Sequence, residues 1–131
     1  MMEFKVGAQY RARIAGARQD QVNQFGRLMG TAGRIHTDPD WAAASPAGGV
    51  LVQGGLVMAP LHDLMSRLVG EERWLDGSEI TIKIVSYTRL GEPITVTAHV
   101  EEVTESNVRF NVSWDKDSGA TVMVAEVRVP R

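Results

Sequence analysis

The sequence predicts an α+β domain in which an antiparallel sheet wraps one long helix. Three observations lead there. Residues 18–70 carry apolar side chains at helical spacing between Gly- and Pro-containing loops. Residues 79–129 change to alternation with a period of two, broken by turn residues. A strongly apolar helix thus precedes strands that have one apolar face, and each can bury that face against the other.

The elements follow in order. Residues 10–14 supply a short edge strand near the start. Asp20 is expected to cap a first helix whose stripe is Val22, Phe25, Leu28 and Met29, with Gly30 as its stop. A Gly-, Pro- and Ala-rich loop runs through Pro39 and residues 45–49. The second helix carries Val57, Leu61, Leu64, Met65 and Leu68 on one stripe and ends near Gly70. Pro60 must kink that helix or mark its true start. Strands are expected at 80–85, 94–101, 108–114 and 120–129, separated by turn residues such as Gly91, Asn107 and Gly119. In the last strand the apolar phase switches around Ala125 and Glu126, which suggests a β-bulge there. No repeat or boundary breaks the chain, so residues 1–131 read as a single domain.

Composition excludes several function classes. Fourteen Lys and Arg against sixteen Asp and Glu leave a net charge of −2. Nucleic-acid binding through a concentrated positive field is not expected from that balance. The chain has no cysteine, which removes disulfides, thiol catalysis and thiolate metal sites. Its histidines, His36, His62 and His99, stand singly, without the spacing of a metal pair. No apolar run approaches the roughly 20 residues of a membrane span, and residues 1–5 do not read as a signal peptide. A cytoplasmic protein with no metal, cofactor, nucleic-acid or membrane partner is the expectation.

Residues 25–61 read FGRLMGTAGRIHTDPDWAAASPAGGVLVQGGLVMAPL. This stretch resembles the MaoC-like (R)-specific enoyl-CoA hydratase/dehydratase family, whose pattern is F-A-x-L-x-G-D-x-N-P-I-H-x-D-x-x-x-A followed by V-H-G-M at a helix start. The matching residues are Phe25, Leu28, Gly30, Ile35, His36, Asp38, Ala42, Val52, Gly54 and Leu56. Residues 87–94, from Tyr87 and Arg89 to Pro93, loosely resemble the family's aromatic-Arg hairpin.

The resemblance implies a hot-dog fold, an antiparallel sheet around a long helix, with two such units forming a homodimer. It implies an acyl thioester as substrate, carried by CoA or an acyl-carrier protein, and addition or removal of water across an enoyl bond. In the family an Asp and a His activate that water. Here the His is His36, but Thr31 occupies the Asp position. Thr31 cannot ionise near neutrality, so it reads as a weak hydrogen-bonding substitute rather than as a nucleophile. The Gly54 amide, near a helix start, would polarise the thioester carbonyl. Gln53 and Gly55 replace the family's His and Met around Gly54, and the resemblance places both at the substrate. Trp41 and Met58 are further candidates for the acyl pocket. His62 lies two helical turns beyond Gly54, through Met58, and stands where the family has a small hydroxyl residue lining the same pocket.

Plainer readings stand beside these. His36 could cap a turn, His62 could be hydrogen-bonded near the core, and Trp41 could pack a short helix onto it. His99 falls among outward-facing strand positions. Asp63 and Arg67 form a surface pair four apart. Gly48–Gly49 and Gly54–Gly55 lack the Lys-Ser/Thr of a phosphate loop. Three functions therefore remain open: hydratase or dehydratase, another thioester-processing enzyme such as a hydrolase or lyase, and a non-catalytic binding or partner subunit.

Overall fold

The computed structural model of the chain describes residues 2–131. Five strands form one antiparallel sheet: β1 (Gln9–Ile14), β2 (Glu79–Ile84), β3 (Ile94–Val103), β4 (Asn107–Lys116) and β5 (Thr121–Pro130). Their order is β1-β3-β4-β5-β2, so β1 and β2 are the two edges. Five helices lie between β1 and β2: α1 (Gln19–Met29), α2 (Arg34–Thr37), α3 (Pro39–Ala44), α4 (Gly54–Val69) and α5 (Glu71–Leu75).

α4 is the helix that the sheet wraps. Its stripe Val57, Leu61, Leu64, Met65 and Leu68 is buried, as the spacing predicts. It joins one core with the inward residues of the long strands, among them Val96, Phe110, Trp114 and Val127, each 0% exposed. Phe4 closes one end of this core, edge-on to Tyr10 and Phe110.

Several expectations are corrected. The first helix is capped by Arg18 rather than Asp20: the Arg18 N–H donates to the Gln21 side chain at 2.9 Å. Asp20 sits inside the first turn, where its charge favours the helix dipole, and pairs with Arg18 at 3.0 Å. Gly30 does stop the helix, in the left-handed conformation (φ 72°) that glycine adopts without strain. Leu28 and Met29, expected on the buried stripe, are 75% and 64% exposed. α4 begins at Gly54 and runs through Pro60, which therefore marks no start.

The bulge in β5 falls at Val122, earlier than Ala125. Trp114 faces Met123, Asp115 faces Thr121, and Val122 between them has no opposite residue. Both Val122 and Met123 are buried, so the strand changes phase there, and Ala125, Val127 and Val129 follow inward. The stretch 31–50 also contains the short helices α2 and α3 where the sequence reads as loop.

Candidate functional site

The site forms where the segment after α1 meets the start of α4. Thr31 N–H bonds to the Gly26 carbonyl at 3.0 Å, and a Cβ at Gly26 would lie 2.9 Å from the Thr31 oxygen. Only glycine permits that close approach. The chain then makes the single turn of α2, which carries His36.

His36 is fixed at several points. Its backbone carbonyl accepts from the Gln19 amide at 2.8 Å, and its backbone N–H donates to Gly33 at 2.9 Å. Its ring Nδ1 lies 2.6 Å from the Leu51 carbonyl oxygen, while the Leu51 N–H bonds the Ile35 carbonyl at 3.1 Å. A carbonyl only accepts, so Nδ1 carries the proton. In the neutral ring the lone pair is then on Nε2, the arrangement a general base needs.

Gly54 is the first residue of α4. Leu56 and Val57 N–H both donate to the Gln53 carbonyl, whereas the Gly54 N–H has no acceptor among the described residues. It is one of the orphan donors at the positive end of the helix. Glycine is required here too, because a Cβ would come within 2.9 Å of Ile84 Cδ1.

His36 and Gly54 open onto the same cavity, of about 280 Å³. Ile84, Ser86, Tyr87 and Thr88 complete much of its wall, and no carboxylate lines it. The segment holding these residues is stitched to the one before Gly54: Val52 N–H donates to the Thr88 carbonyl at 2.8 Å, and Arg89 bonds the Ala47 carbonyl. Sequence reasoning did not assign Ile84, Ser86, Tyr87 or Thr88 to the site. The only signal was the loose hairpin resemblance that begins at Tyr87.

The other expected site residues lie elsewhere. Thr31 is exposed and does not line the cavity; its backbone carbonyl accepts from the Gln53 amide at 3.2 Å. Gln53 is 3% exposed and is a brace: Nε2 also donates to the Val22 carbonyl at 2.8 Å, tying α1 to the start of α4. Its Oε1 is buried without a partner, as is the Oε1 of Gln19. Gly55 receives the Phe25 ring, whose Cζ would sit 3.0 Å from a Cβ. Met58 is half-buried against the core.

Trp41 is 43% exposed, with the Arg34 guanidinium 5.6 Å from its ring centroid, and does not shape the cavity. The expectation that His62 shares the pocket of His36 is also corrected. His62 lies in a separate depression on α4, where its Nδ1 accepts from Trp74 Nε1 at 3.1 Å. His99 is half-buried on a strand, and Asp63 and Arg67 pair at 2.9 Å on the surface. Among the described residues no cluster of metal-ligating side chains occurs, and no helix is long and apolar enough to cross a membrane.

No family model matches the sequence, and no curated protein resembles it closely. Solved structures do. The (R)-hydratase from A. caviae involved in PHA biosynthesis superposes with a TM-score of 0.85 at 19% identity, covering 98% of each chain. The chain has the hot-dog fold. The R-hydratase PhaJ1 from Pseudomonas aeruginosa, unliganded, gives 0.83 at 19% identity over 97% of this chain and 81% of its own. The MaoC-like dehydratase from Rhodospirillum rubrum gives 0.76 at 20% identity, over 97% and 92%. The hot-dog likeness spans nearly the whole chain at low identity, and it is a likeness of fold.

Proposed function

We propose that the His36–Gly54 cavity is the active site of an acyl-thioester hydratase or dehydratase. One observation carries this reading: a histidine with Nδ1 committed to Leu51 and Nε2 free shares a cavity with a helix-start N–H that has no acceptor. The thioester carbonyl oxygen accepts from the Gly54 amide, which stabilises negative charge spreading from C2. His36 Nε2 takes the C2 proton, the C3–O bond breaks as the C2–C3 double bond forms, and the imidazolium returns the proton to the departing hydroxide as water. Hydration is the reverse. One group performs both transfers because no carboxylate lines the cavity. A second positioned acid or base would contribute about 10²–10⁴-fold, so a correspondingly slow enzyme is expected on simple enoyl thioesters.

The carrier is CoA or an acyl-carrier protein, and the acid–base steps need no metal or further cofactor. With a substrate of this class we assign the protein to the cytoplasm. The assembly proposed is a homodimer, supported by the free edge β2 and the exposed Ile84, Val85 and Tyr87 beside the cavity. The missing carboxylate also favours a second reading, in which the cavity binds a thioester for an active partner or hydrolyses it.

Mass-spectrometric product analysis separates these readings. The purified protein is incubated with crotonyl, longer enoyl and 3-hydroxyacyl thioesters. Gain or loss of one water that disappears in His36→Gln supports the proposal. Release of free acid identifies a hydrolase, and recovery of every substrate unchanged identifies a binding subunit.

A further inference from the structure

A larger cavity lies next to the one that holds His36. A groove of about 850 Å³ runs between β1, α1 and α4. That volume is within the roughly 300–1,000 Å³ of small-ligand sites. Its lining includes Ile14, Leu56, Val57 and Ile94, which suit a hydrocarbon chain. The groove also accounts for an anomaly in α1. Leu28, which helical spacing assigns to a buried stripe, is 75% exposed and faces this groove with Phe25.

Polar groups also reach the groove, and their charges are not all matched. Arg13 bonds Asp117 at 2.6 and 2.9 Å, and Arg67 pairs with Asp63 at 2.9 Å. Glu92, on the lining, is held by Lys116 at 3.0 Å. Arg11 bonds only the neutral Gln9 side chain, at 2.6 Å, and has no carboxylate partner among the described residues. The groove therefore joins an apolar channel to one uncompensated guanidinium, whose planar fork matches a carboxylate.

We propose that this groove is a second ligand site, specific for a long-chain carboxylate, with the alkyl chain on the apolar lining and the carboxylate on Arg11. Binding there does not depend on the chemistry proposed for His36. The two sites are nonetheless adjacent, because Val52, Val57 and Thr88 line both cavities.

Calorimetric titration with dodecanoate below its micellar range tests this. One dodecanoate per chain is expected. Arg11→Glu should weaken it about tenfold or more, since attraction becomes repulsion at an exposed position that the fold does not need. Ala59→Trp, which places a large ring on the groove lining, should abolish binding. His36→Gln should leave it unchanged, and dodecanol should bind more weakly than dodecanoate. Absence of binding at millimolar concentration overturns the proposal. So does equal binding by Arg11→Glu or by dodecanol, loss in His36→Gln, or displacement by crotonyl thioester. Self-association that Arg11→Glu abolishes would make the groove an interface between copies and overturn it too. Thioester turnover without dodecanoate binding removes only this inference; binding without turnover removes only the function proposed above.

Discussion

The His36 ring is held in one tautomer by the Leu51 carbonyl, and its backbone is held by Gln19 from α1. His36→Ala is expected to lower thioester turnover by about 10²-fold or more, with His36→Gln close behind because it cannot titrate. Thermal stability should change little, since the residue adds little apolar burial. Near-normal turnover in both variants, measured by steady-state kinetics, would remove His36 from the chemistry. Gln53 acts one step further out. Gln53→Leu leaves the Val22 and Thr31 carbonyls without their donor, a loss of about 1–3 kcal/mol in a buried setting. Because Gln53 precedes Gly54, kcat should fall more than KM rises. A fall in melting temperature with unchanged kinetics would make it a purely structural brace. Thr31→Asp should give far less than the ~10²-fold gain of a positioned acid, because that side chain lies outside the cavity. That His36 and Gly54 lie together on one cavity was legible in the sequence, because they keep their places in a spaced motif. Trp41, Gly55, Met58 and His62 were not, because motif spacing says nothing about which way a neighbouring turn of helix faces. Ile84 was hidden for a related reason: it reads as one more strand residue until the sheet brings it against Gly54.

Among the elements, α4 was the most legible and Pro60 its least expected feature. The buried stripe of five residues follows from periodicity, and the helix tolerates Pro60 because tertiary packing outweighs local propensity. Pro60 has no N–H for the Leu56 carbonyl one turn back. Pro60→Ala should restore that bond and stabilise the protein by about 1–2 kcal/mol, less than the full proline penalty because alanine also loosens the unfolded chain. Urea unfolding measures it, and a destabilised variant would mean that the ring packs better than a helical hydrogen bond holds. The position of the bulge was less legible. Val122 and Met123 are both apolar and both buried, so alternation alone could not show which residue is the insertion; pairing with Trp114 and Asp115 decides it. Leu28 and Met29 follow the helical period yet remain exposed, since periodicity gives a face but not what covers it.

For the whole molecule, charge and assembly set the remaining expectations. Burial pushes the Glu92 carboxyl up, but the Arg89 N–H at 3.0 Å and the Lys116 ammonium at 3.0 Å outweigh it, so the group titrates below its ordinary value. A carboxyl depressed on folding contributes stability that is complete above its unfolded pKa and is lost as pH falls through the folded one. Glu92→Gln should therefore flatten the stability profile in the acid range; urea midpoints between about pH 7 and pH 3 in both proteins check it, and parallel profiles would sink the assignment. Assembly is where the free edge β2 matters. An unpaired edge presents backbone donors and acceptors, and here it ends beside Ile84 (58% exposed), Val85 (54%) and Tyr87 (65%). Such a run of apolar surface next to an unpaired strand calls for a partner, and a symmetric dimer is the commonest solution. Because Ile84 and Tyr87 wall the His36 cavity, the same contact would close that cavity to water. Val85→Lys places a charge on this surface without touching the cavity lining. Sedimentation at micromolar concentration should show a dimer for the wild type and a monomer for Val85→Lys, with turnover lost alongside the dimer. A wild-type monomer that still turns over thioesters would mean that one chain builds the whole site and that β2 is protected in some other way.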